Sequence, residues 1–167
     1  MSKSSLFSIV TGASSGLGKC FAEECAKRNR NLILTSLPNE SINEIASELS
    51  DKYNIEAVGY EVDLTVNDDI LSFSKWVKEN YVIDMLINNA GIGGTNNFLD
   101  WSFNYVDTLI QLNVKAPVLL THEFLPLLKK QTSSHIINVS SMAGMIPMPY
   151  KTIYPASKMF LASFSIS

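Results

Sequence analysis

Tyr154 and Lys158 lie four residues apart, and Ser141 precedes the tyrosine by thirteen residues. At a spacing of four on a helix two side chains share one face, and Pro155 fits the first turn of such a helix. An ammonium roughly 5 Å from a phenol, at an effective dielectric of 20, favours the phenolate by ~3 kcal/mol. Tyr154 is thereby suited to exchange a proton with a carbonyl or alcohol oxygen, and Ser141 could hold the same oxygen.

The tyrosine and lysine pair is weak evidence when taken alone. The six tyrosines of the chain would meet a lysine four residues on ~0.4 times by chance. Tyr154 could instead be a packing tyrosine, and Lys158 a solvated charge on a helix. Ser140 and Ser141 could cap the turn after a strand. The choice between a catalytic and a structural interpretation therefore depends on where these residues lie relative to the other motifs.

A glycine-rich turn, TGASSGLG over residues 11–18, follows the first apolar segment. Gly12 can take a tight turn, Gly16 can let the backbone approach a pyrophosphate, and Gly18 can let the helix pack on its strand. The positive N-terminus of that helix would then point at the anion. The GxxxGxG spacing differs from the common GxGxxG fingerprint, so an ordinary strand-to-helix turn is the alternative.

If the glycine turn binds the pyrophosphate of a nicotinamide dinucleotide, residues at the end of the second strand usually determine whether NAD or NADP is bound. Thr35, Ser36 and Leu37 occupy those positions, with no carboxylate to repel a 2′-phosphate and no arginine to attract one. Ser15 and Ser36 could hydrogen-bond either cofactor. We expect NADP or NAD, with a preference for NADP.

Strands and helices that would position these residues alternate along the whole chain. Apolar runs predict strands near residues 6–10, 32–34, 57–62, 85–87 and 136–139, with amphipathic helices between them. Ser41 to Glu44 forms a capping box for the second helix, and a long helix over residues 101–130 is expected to bend near Pro117. The alternation predicts an α/β fold, a doubly wound parallel sheet with helices on both faces, in a single domain over residues 1–167.

Composition narrows the class of protein. The hydrophobic fraction is 46%, the charged fraction 17%, and no apolar run approaches the roughly 18 residues that span a bilayer. Residues 1–5 precede too short an apolar segment for a secretion signal, so we expect a cytoplasmic protein. A net charge of −3 without a basic block argues against nucleic acid. Cys20 and Cys25 indicate neither a disulfide nor a metal site, and both thiols are expected to be buried.

Together these motifs resemble the short-chain dehydrogenase/reductase superfamily from the first strand to the last residue. The resemblance rests on the glycine turn, on Asn88-Asn89-Ala90-Gly91 after the fourth strand, on Ser141, and on Tyr154-Pro155-Ala156-Ser157-Lys158. It implies a Rossmann fold and an NAD(P)-dependent oxidoreductase that interconverts a ketone or aldehyde and its alcohol. The implied catalytic residues are Asn113, Ser141, Tyr154 and Lys158.

The resemblance also implies roles for single residues. Asn113 would support a water-held proton relay with Lys158, although a local bend in a helix could also explain a mid-helix asparagine. Asp63 would recognise adenine, or else cap the next helix. No metal is implied. The implied cofactor-binding residues are Gly12, Ser14, Ser15, Gly16, Leu17, Gly18, Ser36, Asp63, Leu64, Asn88, Ala90, Gly91, Tyr154 and Lys158.

Complete members of this superfamily continue into a sixth strand, a substrate lid and a seventh strand, whereas this chain ends at Ser167. We therefore expect five strands with the fifth at the sheet edge, in a fragment of a longer enzyme or an incomplete relative. A non-catalytic nucleotide-binding or interaction module is the alternative function. A Rossmann methyltransferase would leave the serine, tyrosine and lysine unexplained.

Partners are expected to be a small carbonyl or alcohol substrate and a second copy of the chain. The family commonly pairs its long helix and its tyrosine helix across a two-fold axis, which implies a homo-oligomer. Methionines near the tyrosine, together with Tyr150, hint at an apolar substrate, although they could also pack within a loop. These methionines are Met142, Met145 and Met148.

Overall fold

The computed structural model describes residues 6–146 and 148–167. Residues 1–5, on which the expectation about a secretion signal depends, lie outside the described residues. In the described ranges no helix is long and apolar enough to cross a membrane.

In the described part of the chain, five parallel strands form one sheet in the order β3-β2-β1-β4-β5. The elements are β1 Leu6–Thr11, α1 Gly16–Lys27, β2 Asn31–Ser36, α2 Ile42–Tyr53, β3 Ala57–Glu61, α3 Asn67–Asn80, β4 Val82–Asn88, α4 Phe103–Ile110, α5 Ala116–Leu128, β5 His135–Asn138 and α6 Ile153–Ser165. The strand order reverses between β1 and β4, where open α/β sheets bind their ligands. The predicted doubly wound α/β fold is confirmed.

The two faces of the sheet carry separate hydrophobic clusters, because successive strand side chains point to opposite faces. Phe7 and Ile9 of β1 pack with residues of α3 and α5, such as Phe73 and Phe124. Val10 packs on the other face with residues of α1 and α2. Helices therefore cover both faces, and the carboxyl ends of the strands remain at one edge, which the site occupies.

The long helical stretch is irregular directly before Pro117, where the sequence predicts a bend. Pro117 lies in the first turn of α5, but Lys115 and Ala116 before it keep helical backbone angles, so its missing N–H leaves the Asn113 carbonyl oxygen without its usual helical donor. The irregularity is a π-helical segment, Gln111–Lys115, between α4 and α5. Segments of this kind often occur at functional sites, and this one contains Asn113.

Two local expectations were wrong. Ser41 adopts a left-handed conformation with φ 54° and makes no capping hydrogen bond, so the predicted capping box is absent. Cys20 is exposed and only Cys25 is buried. The buried residues of α1 are Gly18, Ala22, Cys25 and Ala26.

A polar cluster lies toward the amino ends of the central strands. Arg30 Nε donates a hydrogen bond to Ser8 Oγ at 2.6 Å. The same guanidinium contacts the carboxylate of Asp84, whose residue is only 8% exposed. This cluster joins β1, β4 and the start of β2 on the side of the sheet away from the glycine turn.

The fifth strand is short and lies at the edge of the sheet. Its four residues, His135–Asn138, are in register with Met85–Asn88. Within residues 6–146 and 148–167, β5 pairs with β4 alone. The expected five-stranded sheet with β5 at an edge is confirmed.

Candidate active site

The glycine turn has the backbone conformations that its sequence predicts. Gly12 and Gly16 take positive φ values of 64° and 52°, which glycine adopts without steric cost. A Cβ on Gly12 would lie 2.9 Å from Ala90 Cα, and one on Gly18 would collide with the Gly12 carbonyl oxygen. A Cβ on Gly16 would have nothing within 4 Å, so this backbone faces open space. The turn therefore fits a phosphate group that approaches at Gly16.

Thr11 and Asn89 hold the glycine turn against the end of β4. Thr11 Oγ1 accepts hydrogen bonds from the backbone N–H groups of Asn89 and Ala90, each at 3.0 Å. The Asn89 side-chain amide donates to the carbonyl oxygens of Thr11 at 2.9 Å and Gly12 at 3.1 Å. Sequence reasoning assigned neither residue a role, although both belong to the motifs it used. These contacts position the glycine turn for a ligand.

A cavity of about 560 Å³ opens beside this turn at the carboxyl edge of the sheet. Eleven of the predicted cofactor-binding residues line it: Gly12, Ser14, Ser15, Gly16, Leu17, Gly18, Ser36, Asp63, Leu64, Ala90 and Gly91. Residues that were not predicted also line it, among them Thr35, Leu37, Glu40, Ile92 and Leu112. The glycine floor and lining residues from the ends of β1, β2, β3 and β4 fit a dinucleotide.

Asn88 does not line this cavity, contrary to the sequence prediction. It is 3% exposed, and its amide nitrogen donates to Asn138 Oδ1 at 2.8 Å and to Thr121 Oγ1 at 3.3 Å. The side chain therefore points between β4, β5 and α5. Since it is the last residue of β4, the alternation of the strand directs it to a face of the sheet.

Asp63 lines the first cavity but does not cap α3, whose N-cap residue is Val66 with no side-chain capping bond. Its Oδ1 accepts hydrogen bonds from the backbone N–H of Thr65 at 2.9 Å and from the Thr65 hydroxyl at 2.7 Å. These bonds order the turn that precedes α3, and Asp63 also lines the cavity. A structural role and a place in the candidate site are thus compatible.

A carboxylate lines the cavity where none was expected. Ser14 Oγ donates a hydrogen bond to Glu40 Oε2 at 2.6 Å, across the mouth of the glycine turn. Glu40 lies four residues beyond the end of β2, outside the three positions considered from the sequence. The loop before α2 folds back toward α1, and this long-range contact has no signal in the local sequence.

Tyr154 and Lys158 line a second cavity of about 420 Å³. This cavity adjoins the first, because Leu17, Asn89, Gly91 and Ile92 line both. A Cβ on Gly93 would lie 2.7 Å from Tyr154 Cδ2, so the loop after β4 passes directly against the tyrosine ring. The predicted pair is therefore beside the glycine-floored cavity.

Lys158 lies inside the fold, one helical turn from Tyr154. Its Nζ is 5.8 Å from the centre of the Tyr154 ring and donates a hydrogen bond to the Val139 carbonyl oxygen at 2.8 Å. Burial lowers the pKa of Lys158 below its ordinary value, and the residue is 5% exposed. The lysine is not a solvated helix charge.

Asn113 is fully buried and ties three parts of the site together. Its side chain accepts from the Ile92 N–H at 2.9 Å and donates to the Ile92 carbonyl oxygen at 2.8 Å. It also donates to Ser157 Oγ at 3.1 Å, and that hydroxyl donates to the Tyr154 carbonyl oxygen. A Cβ on Gly91 would be 3.0 Å from Asn113 Oδ1 and 3.4 Å from Lys158 Nζ, so both polar ends flank Gly91.

Ser141, like Asn113, is a predicted catalytic residue that lines neither of these two cavities. Its hydroxyl accepts a hydrogen bond from the Ala143 N–H at 3.1 Å and caps the short 3₁₀ turn Met142–Gly144. Ser140 lines the second cavity, but its hydroxyl donates to the Lys158 carbonyl oxygen at 2.6 Å. Among the described residues, no group of three or more His, Cys, Asp or Glu side chains could hold a metal ion.

A parallel sheet with a glycine floor at its reversal point and a tyrosine–lysine pair beside that floor defines a dinucleotide-binding Rossmann protein. The chain matches the family model described as short chain dehydrogenase over residues 7–167, and it belongs to that family.

Relatives and solved structures agree with this assignment. Very-long-chain 3-oxoacyl-CoA reductase of Mus musculus is 34% identical over 163 residues, which are 95% of this chain and 52% of the relative. A bulky-bulky ketone specific alcohol dehydrogenase from Comamonas testosteroni is 30% identical with a TM-score of 0.89, over 97% of this chain and 65% of the other. A short-chain dehydrogenase from Sphingobium yanoikuyae in complex with NADPH is 29% identical with a TM-score of 0.90, over 96% and 63%. The chain thus spans about half the length of the first of these relatives.

Proposed function

We propose that this chain carries the cofactor site and the proton-transfer residues of an NAD(P)-dependent oxidoreductase that interconverts a ketone or aldehyde and its alcohol. The observation that carries this proposal is the position of Tyr154 and Lys158 in a cavity that adjoins the glycine-floored one. NADP(H) is the favoured cofactor, because the Sphingobium neighbour was solved with NADPH. NAD(H) is the second possibility.

In this proposal Tyr154 and Lys158 have different roles in proton transfer. A bound nicotinamide cofactor supplies or accepts the hydride. The Tyr154 hydroxyl donates a proton to the carbonyl oxygen in reduction and takes one from the alcohol in oxidation. The Lys158 ammonium, 5.8 Å from the ring centre, stabilises the phenolate that remains after donation.

Asn113 and Ser141 have supporting roles in this proposal. Asn113 holds the loop at Ile92 against α6 and keeps Lys158 and Tyr154 in place, which is a positioning role. Ser141 would hold the substrate oxygen, and for this its hydroxyl must turn from the turn it caps toward the second cavity. Its side chain is at the end of a short loop after β5, where such a rotation needs no change in the sheet.

The substrate is proposed to be a ketone with apolar substituents. Met142, Met145, Met148 and Tyr150 are all exposed on the segment that leads to Tyr154. The mouse relative is named for a 3-oxoacyl substrate and the Comamonas neighbour for bulky ketones. We further propose a homo-oligomer through α5 and α6, where exposed Leu125 and Phe160 offer apolar surface. A cytoplasmic location stays a prediction.

The test compares Tyr154→Phe with the unmodified chain and with Tyr81→Phe, a tyrosine far from the cavities. NADH and NADPH affinities are measured by fluorescence, and turnover by cofactor oxidation with a panel of alkyl and aryl ketones, in the chain and in any longer protein that contains it. We expect Tyr154→Phe to keep cofactor affinity and to lose at least about a hundredfold in rate.

Undiminished turnover in Tyr154→Phe would refute the proton-donor role. Cofactor binding with no turnover for any ketone, in both forms of the protein, would favour the non-catalytic nucleotide-binding module instead.

A further inference from the structure

Glu40 lies at the end of the first cavity that is remote from Tyr154. Leu37 and Ser36, at the end of β2, line the same end, whereas Ile92 lines the end that adjoins the second cavity. In doubly wound folds the adenosine ribose of a dinucleotide lies at the end of the second strand. Glu40 is therefore at the adenosine end of the candidate site.

The charge of this end is negative. Of the described residues that line the cavity, the charged ones are Glu40 and Asp63, and neither lysine nor arginine is among them. Asp63 is engaged by two hydrogen bonds from Thr65. The carboxylate of Glu40 is held by the Ser14 hydroxyl at 2.6 Å on an otherwise exposed side chain.

Ser14 connects this carboxylate to the glycine turn. A hydroxyl has a single hydrogen to donate, and here that hydrogen points to Glu40 Oε2. A phosphate on the ribose 2′-oxygen would compete for the same hydroxyl and would meet a like charge beside it. An unphosphorylated ribose has hydroxyl groups that can donate to a carboxylate.

We propose that Glu40 is a cofactor-selectivity residue that weakens the binding of 2′-phosphorylated dinucleotides relative to unphosphorylated ones. This inference rests on the proposed function, since it requires a nicotinamide dinucleotide in the first cavity. It concerns the ratio of the two affinities, so it holds whichever cofactor binds more tightly. Glu40 lies outside the three residues that end β2, where selectivity was expected from the sequence.

The test measures dissociation constants for NADH and NADPH by fluorescence in the unmodified chain, in Glu40→Gln and in Glu40→Lys. Adenosine 5′-monophosphate and adenosine 2′,5′-bisphosphate, measured by calorimetry, probe the adenosine end without the nicotinamide. Glu48→Gln is the matched control, because it removes the same charge from an exposed position of α2 that does not line the cavity.

In Glu40→Gln the ratio of the NADPH to the NADH dissociation constant is expected to fall about three- to tenfold, and further in Glu40→Lys. The same fall is expected for the two adenosine nucleotides, and the ratio in Glu48→Gln should not change. The difference between Glu40→Gln and the unmodified chain should shrink in 1 M salt, where the Debye length is about 3 Å.

Two failures are distinguishable. If both dinucleotides bind but the ratio in Glu40→Gln and Glu40→Lys equals that of the unmodified chain, the role of Glu40 is overturned and the proposed function stands. If none of the four nucleotides binds to a chain with folded circular dichroism, the proposed function fails, and the role of Glu40 fails with it.

Discussion

At the scale of single residues, Lys158 shows a conflict between chemistry and stability. The proposed reaction needs its positive charge beside Tyr154, yet burial disfavours the charged form and lowers the pKa of Lys158. The hydrogen bond to the Val139 carbonyl oxygen compensates for part of the lost hydration. A lysine in such a place is expected to make the stability of the fold depend on pH.

The pH dependence can be given a sign. Because the pKa of Lys158 in the folded chain lies below its ordinary value of 10.5, the unfolded chain binds more protons just below pH 10.5. The free energy of unfolding, relative to that of Lys158→Met, should rise as pH increases through the folded pKa and level off above 10.5. Urea unfolding of both chains across alkaline pH measures this difference. Lys75→Met, which removes an exposed charge, is the matched control for the loss of a positive charge.

Asn113 should be as important for stability as for the site. In Asn113→Ala the half-buried N–H and carbonyl groups of Ile92 lose their partner, so we expect a loss of about 1 to 3 kcal/mol in the free energy of unfolding. Asn104→Ala, at an exposed position of α4, should change it by less than about 0.5 kcal/mol. Equal losses in urea unfolding of the two variants would contradict the positioning role of Asn113.

At the scale of elements, the β1–α1 turn shows that glycines of one motif are needed for different reasons. Gly18 has no room for a side chain, while Gly16 has room but takes a left-handed backbone. Close packing and ligand approach are therefore separable within eight residues.

Alanine variants should separate these two requirements. Gly18→Ala should lower the free energy of unfolding by about 2 to 4 kcal/mol, because its methyl group would overlap the Gly12 carbonyl oxygen. Gly16→Ala should cost only about 1 to 2 kcal/mol, through its positive φ, but should weaken dinucleotide binding at least about tenfold. Thermal unfolding and NADPH titration measure the two effects, and a Gly16→Ala chain with full affinity would argue against phosphate approach at this residue.

Strands and helices with a regular spacing of apolar residues were predictable from the sequence. Features that depend on tertiary contacts were not. The strands and the glycine turn follow from apolar runs and from residues with special backbone freedom. The proline that follows the π-helical segment is visible in the sequence, but the contact of Asn113 with Ile92 is not, because these residues are 21 positions apart. The contact of Glu40 with Ser14 joins residues 26 positions apart, which no pattern along the chain reveals.

At the scale of the whole molecule, neutral hydrogen bonds join the central strands at their carboxyl ends, and an ion pair joins them toward their amino ends. Thr11 and Asn89 join β1 and β4 at the carboxyl ends, beside the candidate site. Arg30, Ser8 and Asp84 join the strands toward the amino ends. The stability of the sheet can therefore be altered at a distance from the cavities.

Arg30→Met tests this separation. It leaves Asp84, which is 8% exposed, without its cation, so we expect the free energy of unfolding to fall by about 2 to 4 kcal/mol. Dissociation constants for dinucleotides should change by less than about twofold, because the cluster lies on the side away from the glycine turn. A large loss of affinity in a chain that remains folded would show that the two ends are coupled.

The two halves of the candidate site follow strands that differ in how well their amide hydrogens are protected from exchange. The glycine turn follows β1, which is paired on both sides, whereas Ser140, Ser141 and the contact of Lys158 with Val139 follow β5, which is paired with β4 alone in the described part of the chain. Amide hydrogens of β5 should therefore exchange with deuterium before those of β1, since edge strands open at lower energy. Local unfolding of β5 would displace the proton-transfer residues while the glycine turn stays folded. As temperature or denaturant concentration increases, catalysis should therefore be lost before nucleotide binding.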